Sequence, residues 1–235
     1  MRILSGYISY LGKINEDLIE RLVLDALPVG PKIVYLDLGC GDGKKTTNRG
    51  LIIGTKEILG IEGNKDYIGS SKKRETKILN ANLNTSWPIG SSSIDCITAT
   101  EVIEHLSDLD NFFSESKRTL KKGGRIIIST ENLAGYHNIF ALLLGNQPYI
   151  GPYLSVNFPI GHRPCAKYYK GKSQKFFPHL NVMTTKALMQ LLVKYGFKVN
   201  QVTGVGFYPL PPFLAGIFAK IDKNHASYCV VTAES

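Results

Sequence analysis

The sequence contains no apolar run of the roughly 20 residues that a membrane-spanning helix requires. Residues Met1 to Gly6 lack the long apolar core and the small-residue cleavage site of a secretory signal peptide. The four cysteines are scattered and include no C-x-x-C pair; they are Cys40, Cys96, Cys165 and Cys229. This spacing argues against a zinc site and against a disulfide framework. Together these absences predict a cytoplasmic protein in a reducing environment.

Internal repeats and low-complexity tracts are also missing, and the composition excludes wholesale disorder. Of the 235 residues, 43% are hydrophobic and 20% are charged, which is ordinary for a chain that buries a sizeable core. This length suits one domain. We therefore predict a single domain over 1–235, with an inserted basic and aromatic region over 133–183 that caps the substrate.

Acidic residues are absent from 133–221, which carries Arg163 and eight lysines. The whole chain has 28 basic and 19 acidic residues and a net charge of +9, so the excess positive charge lies entirely in this segment. The segment also holds 15 of the 22 Phe and Tyr residues. Such asymmetry predicts an anionic partner, either a phosphate-bearing small molecule, RNA or a membrane surface. The alternative is that the lysines form an ordinary solvated face.

Apolar strand-like segments alternate with helical patterns along the first half of the chain, which predicts βαβ units and a parallel sheet. The predicted strands cover 32–38, 57–61, 76–79, 94–99 and 125–130, followed after an irregular region by 197–203 and 228–232. The predicted helices cover 15–27, 44–52, 66–74, 108–120, 133–144 and 184–195. The irregular stretch 147–180 is long enough to indicate a functional lid or a disordered loop.

The first strand runs into a glycine-rich loop, Asp37-Leu38-Gly39-Cys40-Gly41-Asp42-Gly43. Glycine permits a sharp turn and lets the backbone approach a ligand closely. The third glycine comes one residue too early for the dinucleotide fingerprint G-x-G-x-x-G. The segment instead resembles motif I of the class I S-adenosylmethionine-dependent methyltransferases. This resemblance implies that Asp37, Gly39, Cys40 and Gly41 belong to a site for S-adenosyl-L-methionine.

Residues after the second and third strands extend this predicted cofactor site. Glu62 ends the second strand, where a carboxylate can accept hydrogen bonds from the two ribose hydroxyls, and Gly63 follows it. Asn82 stands where many relatives carry Asp to meet the adenine amino group, and its amide can make the same contact. Leu83 would supply a backbone contact beside the ring.

The resemblance to class I methyltransferases covers nearly the full chain and implies an α/β architecture. The expected Rossmann-like sheet has seven strands in the order 3-2-1-4-5-7-6, with the seventh strand antiparallel and helices on both faces.

The block Thr98 to Leu106 resembles motif IV of the ubiquinone-biosynthesis-type O-methyltransferases. By this resemblance, Thr98 and Thr100 lie under the sulfonium and the methionine tail of the cofactor. His105 is a candidate general base, because the ordinary pKa of histidine is close to neutral. The alternative is a structural histidine that is hydrogen-bonded to backbone.

The same block, E-x-x-E-H, also resembles the metal site of small-RNA 3′-terminal 2′-O-methyltransferases. Glu101, Glu104 and His105 would then bind a divalent ion from one helical face. His162 or His179 would be the fourth ligand, and oxygen-rich ligation would favour magnesium or manganese. The alternative function is therefore a metal-dependent RNA 2′-O-methyltransferase.

The acceptor side of the reaction is predicted from chain order. The fifth strand ends at Ser129-Thr130-Glu131-Asn132, and the acid-free segment follows at once, so it would cover the acceptor pocket. Tyrosines of this segment would line that pocket, namely Tyr149, Tyr153, Tyr168 and Tyr169. The N-P-P-Y motif of amino-directed DNA methyltransferases is absent. We predict O-methylation of an anionic or lipid-like small molecule; a further alternative is a non-catalytic cofactor-binding protein.

Overall fold

Seven strands form one sheet in the order β3-β2-β1-β4-β5-β7-β6, in a computed structural model that describes residues 2–70, 75–152, 154–155, 160–161 and 179–235. The strands are β1 Tyr35–Leu38, β2 Ile58–Glu62, β3 Lys77–Asn80, β4 Ile94–Thr100, β5 Leu120–Glu131, β6 Lys198–Val205 and β7 Tyr228–Glu234. Strand β7 is antiparallel to both β5 and β6. The expected strand order and the reversed final strand are confirmed.

Seven α-helices connect the strands across the described residues. They are α1 Arg2–Ala26, α2 Lys44–Ile53, α3 Lys65–Ser70, α4 Leu109–Thr119, α5 Tyr136–Leu143, α6 Thr185–Lys194 and α7 Pro212–Ile221. A short 3₁₀ turn, Ile103–His105, follows β4.

Alternation along the strands shows that both faces of the sheet are buried. Leu36 and Leu38 of β1 pack in one apolar cluster with Phe112 and Phe113 of α4. Tyr35, which points to the opposite face, packs in a second cluster with residues of α1 and α2. Because successive side chains of a strand point to opposite faces, these two clusters are the two layers between the sheet and its helices.

The parallel strands place their carboxyl ends along one edge. Strand β1 pairs in parallel with β2 and with β4, and β4 pairs in parallel with β5. The glycine loop after β1, Glu62 of β2, the turn after β4 and Glu131 of β5 therefore share this edge. In open α/β sheets, this is the edge where ligands bind.

Three elements differ from the predicted ones. Helix α1 begins at Arg2 rather than at residue 15, and it extends through Gly6 and Gly12, which weaken the local helical pattern. Strand β5 begins at Leu120, with an irregular register opposite β4. Helix α7 occupies a segment for which no element was predicted. Pro212 lies in the first turn of α7, where the missing N–H group costs no hydrogen bond.

Candidate functional site

Backbone conformation shapes the loop between β1 and α2. Gly39 has φ +67°, and a Cβ atom there would lie 2.6 Å from Cγ2 of Val102. Gly41 has φ +55°, with no heavy atom within 4 Å of the position that its Cβ would occupy. Gly39 is therefore needed for the turn and for packing, whereas Gly41 leaves open space in which a ligand can approach the backbone.

That open space belongs to a cavity of about 370 Å³, which we name the loop cavity. It is lined by Asp37, Gly39, Cys40, Gly41, Asp42, Lys44, Lys45, Arg49 and Thr100. Helix α2 begins at Lys44, so its N-terminal N–H groups face this region, and such groups favour a negatively charged ligand. Burial, reinforced by Asp37, raises the pKa of the Cys40 thiol to about 12, so Cys40 is not a nucleophile at neutral pH.

Glu62, at the end of β2, binds the backbone of the glycine loop. Its Oε2 atom accepts a hydrogen bond of 2.9 Å from the Gly41 N–H group, and Oε1 accepts one of 2.7 Å from the Asn64 N–H group. A carboxylate has about four acceptor positions, so two remain for the hydroxyls of a ligand. Glu62 thus fixes the glycine loop and lies beside the open space at Gly41.

Asp37 lies beneath the loop and is 3% exposed. Its carboxylate accepts hydrogen bonds of 2.6 Å from both Thr46 Oγ1 and Thr98 Oγ1, and it pairs with Arg49 Nη1 at 3.0 Å. Thr98 is fully buried and also contacts the Tyr35 hydroxyl at 2.7 Å. These groups support the floor of the loop cavity.

Arg49 links this floor to helix α1. Its Nε and Nη2 atoms lie 3.0 and 2.6 Å from the two carboxylate oxygens of Glu20, and Nη2 also donates to Thr100 Oγ1 at 2.9 Å. Arg49 is 1% exposed, and such bidentate geometry suits a buried guanidinium. Arg49 was not among the predicted site residues, because in the sequence it is only a lone arginine within the helix that follows the glycine loop.

The other residues predicted to bind the cofactor lie outside the lining of the loop cavity. Asn82 Oδ1 accepts hydrogen bonds from the backbone and side chain of Asn84, at 2.9 and 3.0 Å. Leu83 is buried, and its carbonyl accepts from Trp87 Nε1. Gly63, directly after β2, accepts a hydrogen bond from Asn80 through its carbonyl. Their contacts with a cofactor remain predictions.

A second cavity of about 440 Å³ adjoins the first, and we name it the acidic cavity. Its lining consists of Glu16, Ile19, Glu20, Lys45, Thr100, Glu101, Glu104, His105, Glu131, His179 and Tyr228. Five of these are glutamates, from three separate parts of the chain. Lys45 and Thr100 line both cavities, so the loop cavity and the acidic cavity meet at these two residues.

The turn after β4 places two of the glutamates. Glu101 has φ +54°, an uncommon conformation for a residue with a side chain, and its Oε1 accepts a hydrogen bond of 2.7 Å from Ser129 Oγ. Glu104 Oε2 accepts one of 3.0 Å from Thr130 Oγ1. Burial, together with the nearby Glu104, raises the pKa of Glu101 well above its usual range. Burial also raises the pKa of Glu104 to about 7. The side-chain hydroxyls of Ser129 and Thr130 in β5 thus hold both carboxyl groups in place.

Two histidines complete the cavity. His179 Nδ1 lies 2.7 Å from the carbonyl oxygen of Ile150 and 3.0 Å from Glu131 Oε2. Burial opposes protonation of His179, but its contact with the Glu131 carboxylate prevails and raises its pKa. The rings of His105 and His179 meet edge to face, with centroids 4.9 Å apart. One ligand atom from each of Glu104, His105 and His179 lies within 4.8 Å of the others.

This group contains two of the three predicted metal ligands and one of the two candidate fourth ligands. Glu101, the remaining predicted ligand, lines the same cavity. His162 lies outside the described residues, as do Tyr153, Tyr168 and Tyr169. Tyr149 stacks on His137, with ring centroids 6.0 Å apart, and is not among the residues that line the acidic cavity.

Glu16 and Glu20 of α1 were not among the predicted site residues. They are spaced i, i+4 and so lie on one face of the helix, but a charged helix face is ordinarily solvated. Only the tertiary packing of α1 against the sheet shows that this face points into a cavity.

Comparisons with known proteins agree with this fold. Residues 36–128 match the family model described as a methyltransferase domain. The chain is 27% identical to the ubiquinone biosynthesis O-methyltransferase of Pelagibacter ubique over 74% of its length and 72% of that protein. It is also 27% identical to an uncharacterised 37.1 kDa protein in transposon Tn4556 of Streptomyces fradiae, over 46% of this chain and only 33% of that protein.

Solved structures of similar fold include geranyl diphosphate C-methyltransferase from Streptomyces coelicolor A3(2), in complex with Mg²⁺, geranyl diphosphate and S-adenosyl-L-homocysteine. It superposes with a TM-score of 0.62 at 14% identity, over 100% of this chain and 84% of that chain. At this identity the likeness concerns the fold.

Proposed function

We propose that this chain, which contains an S-adenosylmethionine-dependent methyltransferase domain, methylates an oxygen atom of a small, lipid-like acceptor. The cofactor of this domain is S-adenosyl-L-methionine. One observation carries the proposal: the loop cavity and the acidic cavity meet at Lys45 and Thr100. A methyl donor in the first cavity would therefore face an acceptor in the second.

The donor side supports the proposal through the fit of its residues to the cofactor. The open space beside Gly41 allows close approach to the backbone, and Glu62 retains acceptor positions for ribose hydroxyls. Lys44 and Lys45, at the start of α2, offer positive charge to a carboxylate. Because the sulfonium is already activated, the protein contributes chiefly by positioning the acceptor.

On the acceptor side, a hydroxyl must lose a proton as it attacks. Its O–H bond breaks, a bond forms between its oxygen and the methyl carbon, and the carbon–sulfur bond breaks to leave a neutral thioether. His105 lies in the acidic cavity and is the candidate to receive the proton. We assign it that role as a general base.

The charge of the acidic cavity limits which part of the acceptor can enter it. Five glutamates, one lysine and two histidines line the cavity. Burial favours the neutral form of Glu101 and in part that of Glu104, so the lining offers more carboxyl groups than positive charges and gives a bare phosphate or carboxylate little to bind. We propose that the reacting end is an uncharged hydroxyl or phenol. An anionic group of the acceptor would lie elsewhere, where the basic segment 133–221 offers positive charge.

A second candidate is favoured by the group Glu104, His105 and His179, whose ligand atoms lie within 4.8 Å of one another. One carboxylate and two imidazoles suit a divalent cation, which would polarise an acceptor oxygen and lower its pKa. A metal-dependent RNA 2′-O-methyltransferase would use this set, with Glu101 beside it. The nitrogen of His105 cannot both bind a cation and accept a proton, so metal dependence separates the two candidates.

The test is incubation of the protein with methyl-labelled cofactor and three fractions of a cell extract, namely lipid, RNA and soluble small molecules. We expect label in the lipid or small-molecule fraction, with undiminished transfer in EDTA. His105→Ala, which removes the proposed base, should abolish transfer, whereas His225→Ala, which removes a histidine that pairs with Asp222, should not.

Label in RNA that disappears with EDTA would establish the metal-dependent alternative. Cofactor binding without transfer to any fraction would favour a non-catalytic cofactor-binding protein.

A further inference from the structure

The lining of the acidic cavity contains many hydrogen-bond acceptors and few donors. Its five carboxyl groups come from α1, from the turn after β4 and from the end of β5, and each offers about four acceptor positions. Donors come from Lys45, Thr100, Tyr228 and the ring nitrogens of two histidines. A complementary ligand therefore brings several hydrogen-bond donors of its own.

One of the five carboxyl groups is already engaged by the protein. Glu20 accepts hydrogen bonds from Arg49 at both of its oxygens, at 3.0 and 2.6 Å, and Lys45 Nζ lies 4.0 Å from one of them. Glu16 stands one helical turn earlier on α1 and lines the same cavity. Glu20 thus supports the cavity wall, whereas Glu16 is placed to meet a ligand.

The carboxyl groups of the turn after β4 keep acceptor positions for a ligand. Glu104 lines the cavity although only 2% of it is exposed, and Thr130 Oγ1 donates to its Oε2 atom at 3.0 Å. Glu101 accepts at its Oε1 atom from Ser129 Oγ at 2.7 Å. Each hydroxyl of β5 therefore fixes one carboxyl group, which retains acceptor positions that this hydrogen bond does not use.

Glu131 has a buried oxygen that its neighbours do not satisfy. A carbonyl oxygen only accepts, so His179 Nδ1 donates to the carbonyl oxygen of Ile150, 2.7 Å away. Glu131 Oε2 lies 3.0 Å from the same nitrogen, but none of the described residues donates a well-formed hydrogen bond to it. A buried acceptor without a donor is costly, so a ligand hydroxyl that reaches the Glu131 carboxyl group would stabilise this wall.

The acceptors are spread around the cavity rather than gathered at one point. Among the described residues, Glu104, His105 and His179 form the one group whose ligand atoms lie close enough together to share a cation, and the other glutamates lie outside it. The volume of about 440 Å³ falls within the range of about 300–1,000 Å³ that is usual for small-molecule sites. A lone cation or ammonium group would satisfy one part of this lining, whereas a ring-sized molecule can reach acceptors on several sides.

Thr100 and Tyr228 add contacts of two other kinds. Thr100 Oγ1 accepts a hydrogen bond of 2.9 Å from Arg49, so its own hydrogen can be donated where the two cavities meet. Tyr228 contributes an aromatic ring, whose negative face attracts C–H groups. Hydroxyl groups that alternate with C–H groups are the surface of a sugar or cyclitol ring. Carboxylates that accept from sugar hydroxyls are also the arrangement that holds the ribose of dinucleotides.

We propose that the acidic cavity binds a sugar or cyclitol ring of the acceptor and that a hydroxyl of this ring receives the methyl group. The hydroxyl loses its proton to the base, its oxygen forms the bond to the methyl carbon, and the sulfonium becomes a neutral thioether. In a lipid-like acceptor, the ring would be the head group. This assignment of the acceptor class rests on the proposed function, because the acidic cavity is taken as the acceptor site.

The chemical position of the transferred methyl group tests this assignment. The full chain is incubated with methyl-labelled cofactor and with the lipid and soluble small-molecule fractions of a cell extract, and the labelled products are heated in aqueous acid. Acid cleaves glycosidic bonds and leaves the methyl ethers of sugars and cyclitols intact. We expect the label to co-migrate with mono-O-methyl sugar or cyclitol standards on chromatography.

Other positions of the label distinguish failure of the ring assignment from failure of the proposed function. Label on a phenol or on an open aliphatic alcohol would overturn the ring assignment and leave O-methylation in place. Label on an amine, label that appears only when RNA is added, or no label in any fraction would refute both.

Glu16→Ala tests the contact from the protein side, and Asp17→Ala is its matched control. Both residues are exposed neighbours on α1, but Asp17 is not among the residues that line the cavity. Because Glu16→Ala removes an acceptor for ring hydroxyls, the apparent KM for the labelled acceptor should rise by about tenfold or more, while kcat and cofactor affinity stay within about twofold. Asp17→Ala should leave all three unchanged. An unchanged KM in Glu16→Ala, or an equal rise in Asp17→Ala, would contradict recognition of the acceptor by these carboxyl groups.

Discussion

The loop cavity and the acidic cavity share a boundary but are built in different ways. The loop cavity comes largely from one stretch of chain, Asp37 to Arg49, and backbone conformation gives it its shape. The acidic cavity is lined by side chains from α1, the turn after β4, β5, β7 and His179. The first is local and faces the positive end of a helix, whereas the second is dispersed and carries five glutamates.

This difference agrees with what each cavity is proposed to recognise. A fixed cofactor can be held by backbone groups and one carboxylate, which a short motif encodes. An acceptor site needs particular side chains at particular points, and these come from whichever elements reach the same edge of the sheet. Arg49 couples the two, because it binds Asp37 under the loop and Glu20 in the acidic cavity.

Replacement of Arg49 should give the largest loss of stability, because it removes the residue that pairs with both Asp37 and Glu20. Arg49→Met leaves Asp37 buried without its cation, and loss of one partner of a buried ion pair costs about 3–5 kcal/mol. Urea unfolding followed by Trp87 fluorescence should show a free energy of unfolding lower by that amount. Lys45→Met, which removes a side chain that is 67% exposed, should change it by less than about 0.5 kcal/mol.

The double variant Asp37→Asn/Arg49→Met sharpens this test. It should be more stable than Arg49→Met alone, since the unpaired charge is gone. If the changes that Asp37→Asn and Arg49→Met make in the free energy of unfolding simply add in the double variant, the Asp37–Arg49 pair does not couple the cavities.

Glu62→Ala should act on the loop cavity alone. It removes the acceptor for the Gly41 and Asn64 N–H groups and the predicted partner of the ribose. Hydrogen bonds to a charged group contribute about 1.5–3 kcal/mol each, so affinity for S-adenosyl-L-methionine should fall about 100-fold, measured by isothermal titration calorimetry. Glu57→Ala, at an exposed position before the same strand, should bind as the wild type does; an equal loss in both would contradict the assignment.

The contrast between the cavities also explains what the sequence could predict. The glycine loop and the alternation of strands and helices were predictable because they are local patterns, whereas the strand order was implied by the resemblance to class I methyltransferases. Glu101, Glu104 and His105 were predictable for the same reason, since they form one contiguous block. His179 was only one of two candidates, because 74 positions separate it from His105 in the numbering of the chain.

Other features had no local signal. Buried Arg49 looks like any helix arginine until Glu20 and Asp37 are placed beside it. No element was predicted for helix α7, whose packed residues Ala215 and Ala219 are small and whose large apolar residues Phe213 and Ile221 are exposed. In each case the role of the residue depends on which face of its helix packs against the sheet. That face is set by packing between segments that are distant in the chain.

His179→Ala should affect the acidic cavity while sparing the loop cavity. If Glu104, His105 and His179 hold a divalent cation, Mn²⁺ affinity measured by electron paramagnetic resonance should fall by tenfold or more, as is typical when a metal site loses part of its support. Cofactor affinity should stay within about twofold. His225→Ala removes a histidine that pairs with Asp222 away from the cavity and should alter neither; absence of Mn²⁺ binding in the wild type would leave His105 as the proposed base.

The smallest predicted effect concerns His137, which is enclosed by the rings of Tyr149 and Tyr208 beside the acidic cavity. Burial lowers its pKa from 6.5 to about 4, so between these values the unfolded chain binds a proton that the folded chain does not. Its contribution to stability is complete above pH 6.5 and is lost as the pH falls towards 4. Between pH 7 and pH 5, His137 should lower the free energy of unfolding by about 1 to 2 kcal/mol.

Glu104 has the opposite effect on the free energy of unfolding. Burial raises its pKa to about 7, so its protonation as the pH falls below 7 favours the folded chain. The His137 contribution is therefore isolated as the difference between wild type and His137→Phe, which keeps an aromatic ring but cannot be protonated. On acidification the wild type should lose about 1 to 2 kcal/mol more than the variant in urea unfolding. On acidification, amide hydrogen exchange in the wild type should become faster in α5 but not in α2. Faster exchange in α2 as well would mean that the two cavities open together.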